Sequence, residues 1–122
     1  NIKVMATYQY EYNFADKVKG DTLEPITFTV TVNSAALDLT DCTILIQFKK
    51  QPCLAYDYQM GTSAAIGGVT ITDAVNGEFR IDEQVLNWKA AKYYYDIQFT
   101  WTDGTVKTYI GGTIEIKQDV TR

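Results

Sequence analysis

The sequence predicts an all-β chain, an immunoglobulin-like antiparallel β-sandwich of about seven or eight strands, and three observations carry that expectation. Apolar and polar residues alternate with a period of two, most plainly where Tyr93, Tyr95, Ile97, Phe99 and Trp101 interleave with Tyr94, Asp96, Gln98 and Thr100. Two dipeptides suited to the positive φ of tight turns, Asn76-Gly77 and Asp103-Gly104, each separate a pair of such runs. Runs of strand length recur along the chain about seven or eight times, the number expected for a two-sheet sandwich.

Each element follows from its own pattern. Val4, Ala6, Tyr8, Tyr10, Tyr12 and Phe14 share one parity, which predicts a long opening strand. Lys19-Gly20-Asp21 and Pro25 break it, and Ile26, Phe28, Val30 and Val32 then mark a second strand that ends at Asn33-Ser34. After a connector containing Leu37-Asp38-Leu39-Thr40, the strand beginning at Cys42 turns Ile44, Ile46 and Phe48 inward. Residues 51–65 show no period and read as a loop. Val69-Thr70-Ile71-Thr72 and Glu78-Phe79-Arg80-Ile81 form a hairpin about Asn76-Gly77. Asp82 is placed to cap one helical turn through Gln84, Val85 and Leu86. The last hairpin returns through Val106, Thr108 and Ile110, and Gly111-Gly112 is the expected site of a bulge that shifts the register of Ile114 and Ile116.

Composition bounds the function. With 122 residues, 46% hydrophobic and 21% charged, the chain suits one domain over 1–122, with 1–17 as an extended N-terminal strand or assembly arm. The net charge of −4 comes from 15 acidic and 11 basic residues, and Lys49-Lys50 is the only adjacent basic pair. Binding a phosphate backbone needs a basic stripe, so no nucleic-acid partner is expected. No apolar run approaches the roughly 18 residues of a membrane span, and no leader pattern opens the chain, so no membrane partner is expected either. A start at Asn1 rather than Met reads as a trimmed chain or a fragment.

The chemistry available is limited. The chain has no histidine, which removes the usual triads and histidine-based metal sites. Asp38 with Asp41, and Asp82 with Glu83, fall in connectors where such residues build turns and caps. No catalytic, metal or cofactor residues are therefore expected. Cys42 and Cys53 flank a strand of about 26 Å, too long for a disulfide to bridge, and read as two free thiols. Nine tyrosines remain to be explained. Tyr93, Tyr95 and Trp101 share the parity of Ile97 and Phe99 and belong to the core, while Tyr94 and Tyr109 project from the opposite parity. Tyr8, Tyr10, Tyr12 and Phe14 on the opening strand either bury their rings in the domain's own core or are candidate partner contacts. Tyr56, Tyr58 and Trp88, in a loop and a connector, are candidates for a sugar-stacking platform or a protein contact.

Five phrases occur in a telling order: Lys19-Gly20-Asp21-Thr22-Leu23-Glu24-Pro25 with Ile26-Thr27-Phe28; Leu37-Asp38-Leu39-Thr40; Gly77-Glu78-Phe79; Tyr95-Asp96-Ile97-Gln98 with Asp103-Gly104; and Gly112 through Asp119-Val120-Thr121-Arg122. From Val18 onward the chain resembles the amino-terminal domain of tailed-phage baseplate upper proteins and related phage fibre proteins. The resemblance implies an immunoglobulin-like sandwich without catalytic residues. It would be made in the host cytoplasm and built into the virion as an adaptor or decoration module. Its implied partners are other virion proteins, in a homo-oligomer or a larger assembly. Baseplate upper proteins continue into a fibre or coiled coil, so an end at Arg122 reads as a small decoration protein if whole and as an adaptor if a fragment. A carbohydrate-binding sandwich is the alternative.

Overall fold

A computed structural model describes residues 2–6, 10–51 and 55–118, and every regular element among them is a strand. Six belong to the first half of the chain: β1 (Ile2–Ala6), β2 (Tyr10–Glu11), β3 (Lys17–Val18), β4 (Thr22–Leu23), β5 (Ile26–Val32) and β6 (Ala35–Ala36). Seven follow: β7 (Cys42–Lys49), β8 (Tyr58–Gly61), β9 (Val69–Asp73), β10 (Glu78–Ile81), β11 (Gln84–Val85), β12 (Ala91–Trp101) and β13 (Val106–Lys117).

Two large sheets share one core. The first runs β1-β5-β10-β9 with β6 beside β5, the second β2-β13-β12-β7-β8 with β3 beside β13, and β4 and β11 form a small ladder of their own. Alternation decides which side chains meet between the sheets. In β12, Tyr93, Tyr95, Ile97 and Phe99 are buried while Tyr94, Asp96 and Gln98 are exposed. Ile44, Ile46 and Phe48 of β7 and Ile110, Ile114 and Ile116 of β13 complete that inner face. The first sheet answers with Val4, Phe28, Val30, Val69, Phe79 and Ile81. Rings join the layers: Phe79 stacks on Phe28 at 5.1 Å and meets Phe99 of the other sheet edge-on at 5.7 Å. Each fully buried side chain of this size contributes about 1.5–3 kcal/mol, so the apolar faces hold the sheets together.

The structure corrects the sequence reading at several elements. The sheets are mixed rather than antiparallel, because β1 runs parallel to β5, and β2 and β3 run parallel to β13. The opening segment is not one strand: β1 lies in the first sheet and β2 in the second, so the chain changes layer between them. Residues 58–61 of the expected loop form the edge strand β8, anchored by buried Met60. Gln84 and Val85 pair with Leu23 and Thr22 instead of forming a helical turn. The bulge falls between Ile97 and Gln98 and leaves Tyr109 as the extra residue on β13, so Ile110, Ile114 and Ile116 keep one phase through Gly111-Gly112.

Both hairpin glycines have positive φ, +73° at Gly77 and +94° at Gly104, but neither hairpin has a two-residue loop. The N–H of Gly104 donates to the Trp101 carbonyl and that of Trp101 to the Thr105 carbonyl, which encloses a three-residue loop ending in a left-handed glycine. The Asp103 carboxylate accepts from the Thr105 N–H at 2.9 Å, a bond that holds its pKa below the usual carboxylate range. Ala74–Gly77 makes a four-residue connection, tied by the Asn76 amide donating to Asp73 at 2.8 Å.

Candidate functional site

The aromatic residues singled out in the sequence divide by position. Tyr8 lies outside the described residues. Phe14 is buried in the core, and Tyr10 and Tyr12 are half-buried against it. Tyr12 meets Phe14 at 5.1 Å and Phe28 at 5.5 Å, both edge-on. Residues 10–19 run along β13: the N–H groups of Tyr12, Phe14 and Lys19 donate to the carbonyls of Gly111, Thr113 and Lys117. No strand lies on the other side of this segment among the described residues, so it forms a sheet edge.

Its seating depends on one close approach. A Cβ on Gly112 would lie 2.0 Å from the Tyr12 carbonyl oxygen, so only glycine admits the segment there. That carbonyl accepts a 2.5 Å hydrogen bond from the Tyr95 hydroxyl. Burial, followed by the neighbouring Tyr12, Asp96 and Glu11, raises the Tyr95 phenol far above its usual range and keeps it a donor.

Tyr56, Tyr58 and Trp88 do not share one exposed platform. Tyr56 is exposed, whereas Tyr58 and Trp88 stack on each other at 4.5 Å with 4° between their planes. Both rings meet Tyr93 edge-on at 5.6 Å, and Trp88 also touches Phe48 at 4.7 Å. The Lys89 backbone joins this cluster, its N–H donating to the Tyr58 hydroxyl and its carbonyl accepting from Tyr93 at 2.6 Å. Trp88 is thereby a core residue, held by rings on two sides.

Of the acids singled out in the connectors, Asp38 and Asp82 brace the chain around them. Asp38 caps Thr40 through both the hydroxyl and the N–H, which holds its pKa low, while Asp82 pairs with Arg80 at 2.8 Å and accepts from Thr70. Cys42 is a free, half-buried thiol whose pKa is pushed up to about 11 by burial; Cys53 lies outside the described residues.

A groove of about 610 Å³ lies on the outer face of the second sheet. Strand register arranges its lining in three rows. Gln47, Asp96, Gly111 and Glu11 form the middle row across β7, β12, β13 and β2. Lys49, Tyr94 and Thr113 flank it on one side, and Leu45, Gln98 and Thr108 on the other. Gly111 brings no side chain to its place between Asp96 and Glu11, so the sheet surface itself forms the floor there. The outward parity of Tyr94, Asp96 and Gln98 was legible in the sequence. Their neighbours on β7 and β2 became known only with the register.

The buried rings pack the core and Asp38 and Asp82 brace connectors, while a sheet edge and a polar sheet face stay open. The chain belongs to the BppU N-terminal domain family, the family of the phage baseplate upper protein, whose model matches residues 5–94. It is thus a structural component of a phage baseplate, located in the virion. The match begins well before Val18 and ends inside β12, so the phrases from Tyr95 onward lie beyond it. No curated protein matches the chain.

Proposed function

We propose that this domain is a baseplate adaptor that joins neighbouring virion subunits through the sheet edge formed by residues 10–18, and that its two sheets form an immunoglobulin-like sandwich. The membership of residues 5–94 in the baseplate family carries this reading. The edge supports it. Because Tyr12 and Phe14 direct their N–H groups to β13, the alternate positions Glu11 and Asn13 direct theirs away from it, where a strand of a neighbour can pair. Half-buried Tyr10 and Tyr12 lie beside that edge and add apolar area to such a contact. Free Cys42 suits folding in a reducing cytoplasm before assembly.

Glu11→Pro removes one outward N–H and no bond to β13. The variant is expected to keep its melting midpoint within a few degrees and to lose incorporation into baseplates, scored by sedimentation of assembled particles. Normal incorporation of the folded variant would refute an edge-mediated role.

A further inference from the structure

We propose that the groove on the outer face of the second sheet binds a short, neutral oligosaccharide. Nothing in the baseplate role assigns this face an occupant, and the chemistry of its rows favours a sugar over a polypeptide. β12 pairs on both sides, with β13 and with β7, so a peptide laid across the face would meet no free backbone to extend. The centres of protein interfaces are depleted of charge, yet Glu11, Asp96 and Lys49 stand within or beside the middle row. Sugars ask for the opposite lining: planar polar groups in a row and one aromatic face.

Both are present. Gln98 offers a planar amide to a hydroxyl, on the outward position of β12 next to Asp96 and its cross-strand partner Gln47, whose own amide donates to Gln59 at 3.5 Å. Tyr94, 38% exposed, borders the row on one side, with the Lys92 ammonium 5.6 Å from its ring centre. Its ring supplies an apolar face against which a pyranose can lie. Four strands at about 4.8 Å spacing give the row a width of about 14 Å, enough for more than one sugar unit. Glu11 and Asp96 are balanced by Lys49 and Lys92, so the lining carries no net charge to attract an ionic glycan and suits a neutral one. The groove is separate from the Tyr58–Trp88 stack, and its chemistry stands whether or not the edge joins a neighbour.

The test uses the full chain and an array of neutral and anionic tetrasaccharides that includes chitotetraose and cellotetraose, followed by NMR titration of the best ligand. Binding of a neutral member is expected, with shifts at the Gln47 and Gln98 side-chain amides. Tyr94→Ala and Gln98→Ala are expected to weaken it at least tenfold without changing the melting midpoint, and Tyr56→Ala to leave it intact. Three results would overturn the proposal: no neutral tetrasaccharide binds, binding survives both groove substitutions, or the folded groove variants lose baseplate incorporation while sugar binding is unchanged.

Discussion

At the scale of single residues, Gly112 and Tyr95 show how one position can depend on a strand about a hundred residues away. Gly112 has room for no side chain because the Tyr12 carbonyl occupies that space, and the Tyr95 hydroxyl then bonds to the same oxygen. The two contacts differ in what their loss costs. Tyr95→Phe removes one hydrogen bond and is predicted to destabilise the domain by about 1 kcal/mol. Gly112→Ala must push the whole edge off β13 and is predicted to cost about 2 kcal/mol or more, with faster amide exchange at Tyr12 and Phe14. Denaturant titration of both variants checks the order, and equal losses would contradict it. The sequence disclosed Tyr95 as a core residue through its parity. It marked Gly112 only as an irregularity, because the oxygen that requires glycine comes from another strand.

At the scale of elements, parity made the inner faces legible and left the connections less so. Ile44, Ile46 and Phe48 turn inward as their spacing implies. The opening strand misled because its even parity runs unbroken from Val4 to Phe14 while the chain changes sheets, and a change of layer leaves no mark in an alternation that both layers share. The loop lengths also escaped detection, since a left-handed glycine can close loops of two, three or four residues. The two hairpins are nevertheless unequal. A Cβ at Gly104 meets nothing within 4 Å, whereas one at Gly77 lies 2.6 Å from the Val30 carbonyl oxygen. Gly104→Ala is predicted to cost about 1 kcal/mol, from backbone conformation alone. Gly77→Ala adds a steric clash and is predicted to cost about 3 kcal/mol, read as a melting midpoint lower by several degrees more.

At the scale of the whole molecule, the candidate site was less legible than the fold because a groove depends on which strands adjoin. Tyr94, Asp96 and Gln98 were visible as an outward set, but only the pairing of β12 with β7 and β13 brings Gln47, Lys49 and Gly111 beside them. The same pairing has a mechanical consequence. Residues 10–19 lie parallel to the last strand, so tension applied between Tyr10 and Lys117 draws them past each other lengthwise. The bonds at Tyr12, Phe14 and Lys19 then bear load together instead of opening one by one, as an antiparallel terminal pair would under the same pull. We predict that, stretched between attachment points at residue 10 and Lys117, the domain yields in a single high-force event and that Gly112→Ala lowers that force; gradual unravelling at low force in single-molecule pulling would contradict this. A module built in this way would carry tension along its second sheet while remaining folded.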